Sequence, residues 1–462
     1  MDLQGITSLR VLMFPWLAYG HISPYLNIAK KLIDKDFYIY LCSTPINLNL
    51  IKQKIPQNYS LSIDLVELHL PKLPELPPIY HTTNGLPPHL ISALRIAFNM
   101  SKPEFSKILQ KIKPDLLIYD MLPPWAEEVA TLSHNVPAVM LLTSGAAAFS
   151  HVLHSHKNSS IEFPFPALYL SKIEQQQFQV IMEQATKEKD HEDKLLHPLL
   201  AEIGNSKRII LMSTSKAIEA KYIDYITELS HWKVVPTGYP IQDHDPMNIQ
   251  DDDDDLIDWL GTKNERSTVF VSFGSEYLLS KEDFEEIAFG LELSQVNFIW
   301  VVRFHKEEEA ILERVLPKDF LEKIGDRGKV VDGWVPQQRI LNHSSIGGFV
   351  SHCGWNSVME SIEFSVPIIA MPMHIDQPIN ARLMVELGAA VEIVKDEEGK
   401  IGRQEVAQVI RGVICEKNGE SLRKKVRHIS ENFKSVRGEE MDAAVEVIIK
   451  ICKNSQSVKN VT

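Results

Sequence analysis

Residues 334–377 read WVPQQRILNHSSIGGFVSHCGWNSVMESIEFSVPIIAMPMHIDQ. The middle of this stretch, IGGFVSH at 346–352, is a short apolar run of the kind that forms a strand buried on both faces. A turn with Gly354 follows, and the residues after it have helical apolar spacing, so a helix is expected to begin near Asn356 or Ser357. Strand, turn and helix in this order make an anion cradle. The first N–H groups of a helix lack internal partners and carry a partial positive charge, so His352, Gly354, Asn356, Ser357 and the local amides could hold a diphosphate without a metal. Each residue also has a plainer reading. Ser357 and Glu360 have the S-x-x-E spacing of a capping box, and His352 could be a satisfied core histidine. Asp376 and Gln377 precede Pro378 and could be ordinary residues at a helix start.

Outward from this stretch, short apolar runs alternate with amphipathic ones. In the first half they fall at residues 9–16, 37–44, 62–70, 115–120, 137–144 and 208–214. In the second half they fall at 268–274, 297–303, 329–335, 346–352, 367–373 and 389–394. This rhythm predicts two α/β units, each a doubly wound parallel sheet of Rossmann type. Residues 239–255 hold Pro240, Pro246 and the aspartates 251–255, a composition that suits an exposed linker. The expected division is a first domain over 1–240, a linker over 241–255 and a second domain over 256–440. A C-terminal helix and tail over 441–462 are expected to pack back on the first domain. The helical spacing is clear over 439–451, and the polar tail beyond Lys450 is expected to fray. Long loops are expected at 82–88 and 157–166.

The bulk properties exclude several functions. A chain of 462 residues, 44% hydrophobic and 24% charged, is globular and long enough for two cores. A formal charge of -13 opposes long-range attraction to nucleic acid or anionic lipid. The N-terminus lacks the pattern of a secretory leader, no run has the length of a membrane span, and the four cysteines are widely spaced with no CxxC pair. A cytoplasmic protein with reduced thiols is expected. No GxGxxG opens a helix after an early strand, which sets aside a nicotinamide dehydrogenase.

Near the N-terminus, LRVLMFPWLAYGHISPYLNIAKKL places His21 after a strand and before a helix, for which Ser23 is the expected cap and Pro24 the first-turn residue. The positive end of a helix disfavours imidazolium, which would keep the ring able to accept a proton. Asp120 ends the run DLLIYD, a strand of the same sheet, and could orient that ring. A structural histidine in a loop is the alternative.

The whole of 334–377 resembles the C-terminal signature of plant secondary-product UDP-glycosyltransferases, glycosyltransferase family 1, and the resemblance extends over nearly the whole chain. It implies the GT-B architecture, two Rossmann-like domains facing across a cleft. It further implies that Trp334 stacks on uracil with Val335 and Gln337 beside it. His352 would touch the diphosphate, Asn356 and Ser357 the α-phosphate, and Glu360 the ribose hydroxyls. Trp355, Asp376 and Gln377 would face the sugar, with a glutamine at 377 resembling glucose-using members. The run SFGSEYLL at 272–279 also resembles the family, with Ser275 placed to bond the diphosphate. His21 would be the general base and Asp120 its partner. The implied reaction is a metal-independent, inverting transfer with UDP-glucose as co-substrate and no cofactor, by a monomeric enzyme.

The runs MFPWLAYGHISPYLNIAKKL, SFGSEYLLS and AMPMHIDQPINARL resemble the branch that elongates sugar chains on glycosides. The acceptor implied is a flavonoid, terpenoid or apocarotenoid glucoside, with 1→6 favoured over 1→2 linkage. Transfer to the free aglycone, at a hydroxyl or carboxyl, is the alternative, and a non-catalytic small-molecule binding protein is a third reading. Tyr19, Ser144 and His374 are the candidate acceptor contacts; Tyr19 departs from relatives that carry His or Gln there. Three features read as non-catalytic. The aspartates 251–255 suit a solvated run ahead of a helix more than a metal-binding DxD. His151, His154 and His156 lack further ligands for zinc. Cys353 reads as a small buried residue.

Overall fold

The computed structural model describes residues 8–158, 160–186, 208–240, 254–275, 279–303 and 315–459. The chain divides into two compact units. One comprises Met1–Glu162, Met182–Asp243 and Val436–Thr462, the other Phe163–Ile181 and His244–Ser435.

The first unit is built on a sheet of order β3-β2-β1-β4-β5-β6-β7. Its strands are β1 (Arg10–Phe14), β2 (Tyr38–Ser43), β3 (Ile63–Glu67), β4 (Leu116–Tyr119), β5 (Ala138–Leu142), β6 (Ile209–Met212) and β7 (Lys233–Pro236). All its pairings are parallel. Both faces are covered, so Val11, Leu12, Met13 and Phe14 are all fully buried and the strand reads as a continuous apolar run. On one side β1 packs against Ile22, Tyr25, Leu26 and Ala29 of the helix Tyr19–Ile33. Met441, Ala444, Val445 and Ile448 of the C-terminal helix belong to the same core. The strand order reverses between β1 and β4, where Phe14 lies opposite Tyr119. In doubly wound sheets that reversal opens a crevice at the carboxyl ends of the strands, so residues just past Phe14 and Tyr119 are where a ligand site is built.

The second unit repeats the plan with order β10-β9-β8-β11-β12-β13. Its strands are β8 (Thr268–Ser272), β9 (Asn297–Val302), β10 (Gly328–Asp332), β11 (Ile346–Ser351), β12 (Ile368–Ala370) and β13 (Ala390–Glu392). Here the reversal falls between β8 and β11, with Ser272 opposite Ser351. Gly274 and Ser275 therefore leave one strand beside the point where His352 leaves the other.

Several boundaries differ from those expected. Strand β7 adds an edge strand where the sequence shows only KVVP before a turn. The helix bearing His21 begins at Tyr19, with Ala18 as its N-cap, because the amides of His21 and Ile22 both bond Ala18 O at 3.0 Å. Ser23 is thus no cap, and Pro24 lies inside the helix. The C-terminal helix is continuous over Lys417–Lys459, so the chain beyond Lys450 does not fray there. Phe163–Ile181 belongs with the second unit, so the first is not an unbroken 1–240. Its helix Lys172–Thr186 carries Glu174, which accepts two hydrogen bonds from Arg382, at 2.6 and 3.3 Å. Residues 241–253 of the expected linker lie outside the described residues, and the helix Asp254–Gly261 follows them. Among the described residues, no helix is long and apolar enough to cross a membrane.

Candidate active site

In the first unit, the first turn of the helix after β1 and the residue after β4 bring His21 and Asp120 together. His21 Nδ1 lies 2.7 Å from Asp120 Oδ2. The aspartate is buried, held at the sheet edge by its own amide to Phe14 O, and its Oδ1 accepts the Leu122 amide at 3.2 Å. The Trp16 amide donates to Oδ2 at 3.4 Å, so backbone amides hold both carboxylate oxygens. His21 keeps 27% of its side-chain surface. A second oxygen, Thr143 Oγ1, is 3.1 Å from the same Nδ1. With Nδ1 carrying the proton shared toward Asp120, the ring's basic lone pair is on Nε2, the arrangement required of an oriented general base.

Of the candidate acceptor residues, Tyr19 stands two positions before His21 and accepts a hydrogen bond from Lys54 Nζ at 2.7 Å. Ser144 lies in the partly exposed turn after β5, beside Thr143. In the second unit, His374 Nδ1 is 3.0 Å from Gln377 Nε2.

The second unit carries the remaining candidates on the segments that follow β8, β10, β11 and β12. Cys353 takes a left-handed backbone, φ 64°, and the helix Trp355–Glu363 starts immediately after Gly354. Two glycines make space for the His352 ring. A Cβ at Gly354 would lie 2.6 Å from His352 Nε2, and one at Gly274 would lie 2.7 Å from it. Gly274, at φ 80°, also needs the left-handed region that glycine alone enters freely. Ser275 is the next residue in the same turn. The Nδ1 of His352 is buried without a hydrogen-bond partner. Burial and the neighbouring His374 push its pKa down to about 4, against an upward pull from the Ser272 backbone. The ring is therefore neutral at neutral pH and offers hydrogen bonds, not charge.

Glu360 does not close a capping box on Ser357. Its carboxylate accepts from Gln337 Nε2 at 2.6 Å and Gln338 Nε2 at 2.9 Å, and Gln337 Nε2 also reaches Ser357 Oγ at 3.4 Å. Gln337, Ser357 and Glu360 thus form one polar cluster, to which the structure adds Gln338. Trp334 is 49% exposed with the Arg303 guanidinium over its ring at 5.4 Å, whereas Val335 and Trp355 are buried. Asn356 is the second residue of the helix that opens after Gly354. Asp376 accepts from Asn380 Nδ2 at 2.9 Å, and Asn380 also bonds Cys353 O at 3.1 Å, tying the Asp376 turn to the His352 turn. Gln377 Oε1 accepts the amides of Met373 and His374 at 3.0 and 3.1 Å.

Thr143, Gln338, Asn380 and Arg303 were not singled out from the sequence. Gln338 had a signal in the paired glutamines, and Thr143 in its place next to Ser144. Asn380 and Arg303 had none beyond helix and strand context. Of the features read as non-catalytic, the aspartates 251–253 lie outside the described residues. His154 bonds Tyr225 OH at 2.7 Å and Ile161 O at 2.8 Å. Cys353 is fully buried, and burial pushes its thiol well above the usual range, which removes a nucleophilic role. Among the described residues, no group of three or more His, Cys, Asp or Glu side chains could hold a metal ion.

The family model for UDP-glucoronosyl and UDP-glucosyl transferase matches residues 104–451. The chain is 50% identical over 450 residues to beta-D-glucosyl crocetin beta-1,6-glucosyltransferase of Gardenia jasminoides, covering 97% of this chain and 100% of that one. It is 47% identical over 457 residues to mogroside IIIx synthase of Siraitia grosvenorii, covering 98% and 100%. Among solved structures, Glycyrrhiza uralensis UGT73P12 complexed with glycyrrhetinic acid 3-O-monoglucuronide superposes with a TM-score of 0.81 at 22% identity, covering 98% of each chain. That likeness shows the shared GT-B fold.

Proposed function

Starting from a chain that belongs to the UDP-glucuronosyl and UDP-glucosyl transferase family, we propose that this UDP-glycosyltransferase moves glucose from UDP-glucose onto a sugar hydroxyl of a small-molecule glycoside. The observation that carries the reading is the 2.7 Å contact between His21 Nδ1 and buried Asp120, which leaves Nε2 as the base. His21 Nε2 takes the proton of the acceptor hydroxyl as its oxygen attacks the anomeric carbon, and the bond from that carbon to the UDP oxygen breaks. Displacement from the opposite side turns an α-linked donor into a β-linked product. Asp120 stabilises the imidazolium that forms.

The donor is assigned to the second unit. Trp334 offers an exposed indole face for the uracil, backed by Arg303, and Glu360 with Gln337 offers paired acceptor and donor groups for the ribose. Ser275, neutral His352 and the helix start at Gly354–Ser357 receive the diphosphate and stabilise it as it leaves. Trp355, Asp376 and Gln377 contact the glucose. The acceptor assignment rests on the relatives, whose names specify a β-1,6-glucosyl transfer onto a glucosyl crocetin and the synthesis of a mogroside. A 1→6 link onto a glucoside is therefore favoured, with Tyr19, Ser144 and His374 as acceptor contacts. The same reading makes the enzyme a cytosolic monomer, which light scattering of the purified chain tests. The donor and the stereochemistry are tested together by supplying UDP-glucose, UDP-galactose and UDP-glucuronic acid with a monoglucoside, and reading the product by NMR. A β-glucosyl product from UDP-glucose is expected; an α-linkage or a preference for another donor overturns the assignment.

A further inference from the structure

The segment after β6 reads STSKAIEAKYI, residues 213–223, and Ser215 caps the helix Lys216–Ser230 by accepting the Ala217 amide. Glu219 stands in the first turn of that helix but leaves helical geometry, with φ −124° and ψ 21°, and it is fully buried. A buried carboxylate is costly unless its oxygens are hydrogen-bonded. This one accepts the Ala146 amide at 2.8 Å, the Ala147 amide at 2.7 Å and the Thr214 hydroxyl. Ala146 and Ala147 are the first two residues of the helix Ala146–Lys157, whose N-cap, Gly145, has no side chain to cap it. Glu219 supplies from another element the cap that Gly145 cannot provide.

What precedes that helix start gives the contact its meaning. Thr143, Ser144 and Gly145 alone connect the end of β5 to Ala146. Thr143 Oγ1 lies against His21 Nδ1 at 3.1 Å, beside the Asp120 oxygen. The imidazole edge is thus held by one oxygen fixed at the end of β4 and one carried on a three-residue turn whose far end is pinned by Glu219. We propose that Glu219 is a positioning residue for glycosyl transfer, fixing the 143–145 turn so that Thr143 and Asp120 together orient His21. The proposal rests on His21 being the base.

The test uses the full-length chain with Glu219→Gln, Thr143→Val, the double variant and His21→Ala, measuring kcat, UDP affinity and melting temperature for each. Glu219→Gln keeps the side-chain volume but replaces one acceptor oxygen with an amide that cannot accept. It is expected to lower kcat about ten-fold, as small misplacements of a reacting group do, with UDP affinity unchanged. Thr143→Val should lower kcat comparably. The double variant should be no worse than the poorer single one, because both substitutions release the same turn. Wild-type kcat in Glu219→Gln with only a lowered melting temperature overturns the proposal, as do losses that multiply in the double variant. Should Glu219→Gln fail to fold, Thr214→Val removes one donor and leaves the carboxylate. A smaller loss of kcat that is likewise non-additive with Thr143→Val is then expected, and wild-type kcat overturns the proposal. Wild-type turnover in His21→Ala overturns the base assignment itself. Turnover lost in His21→Ala but kept in Glu219→Gln overturns the role of Glu219 alone.

Discussion

His21 Nδ1 and Asp120 Oδ2 meet at 2.7 Å across 99 residues of sequence, at the point where the first sheet reverses its strand order. The histidine is 27% exposed and the aspartate 1%, so one can meet a substrate and the other can act only through its partner. His21→Ala is therefore expected to lower kcat by about 10² to 10⁴. Binding of UDP, measured by calorimetry, should change less than about two-fold, since the assigned donor contacts belong to the other unit. Asp120→Asn should also lower kcat with UDP binding intact, because an amide can occupy the site without stabilising imidazolium.

Glu360 is assigned to the ribose by the family resemblance, and its carboxylate is organised by two glutamine amides in a partly buried site. Glu360→Ala should weaken UDP-glucose binding by about 1.5 to 3 kcal/mol, the worth of hydrogen bonds to a charged group, or at least about ten-fold in Kd. The loss should fall mainly on KM for the donor. Equal losses with UDP-glucose and with the acceptor would place Glu360 elsewhere.

The two glycines around His352 are expected to differ in effect. Gly354→Ala would bring a Cβ to 2.6 Å from the ring nitrogen, so the ring must shift, and UDP affinity should drop. Gly274→Ala meets the same ring at 2.7 Å and also strains a φ of 80°, so it should lose about 1 to 3 kcal/mol of stability as well. Thermal unfolding alongside calorimetry separates the two.

Stability should carry a signature of Glu219. Burial pushes its carboxyl up from 4.5 to about 6, against hydrogen bonds from Thr214, Ala147 and Ala146 that pull it down. The folded state then binds this proton more tightly than the unfolded chain. The contribution is full below pH 4.5 and is lost as pH rises through 6, a change of about 2 kcal/mol at 1.36 kcal/mol per pKa unit. Denaturant unfolding of the wild type should show this slope relative to Glu219→Gln, which has nothing to titrate there.

Metal removal should have no effect. The diphosphate is assigned to helix amides and neutral hydrogen-bonding side chains, so EDTA should leave the rate of transfer unchanged. A rate restored only by added divalent cation would require a different donor site.

Much of this was legible in the sequence because parallel strands buried on both faces leave continuous apolar runs. The residues that follow them, Asp120 after LLIY and His352 after IGGFVS, then fall at the sheet edges by construction. Short or long-range features escaped. Strand β7 is four residues long at a sheet edge. Phe163–Ile181 joins the second unit, where Glu174 bonds Arg382 across 208 positions, with no local pattern to announce it. Ser23 and Pro24 look like a helix start, yet the carbonyl of Ala18 starts the helix earlier. The role of Glu219 depends on a backbone departure from helical geometry that periodicity cannot show.

Matched pairs of aglycone and monoglucoside, each incubated with UDP-glucose and analysed by mass spectrometry, test the acceptor assignment. The monoglucosides are expected to gain one hexose while the free aglycones are left unchanged. Glucosylation of the aglycones with the monoglucosides untouched would contradict it.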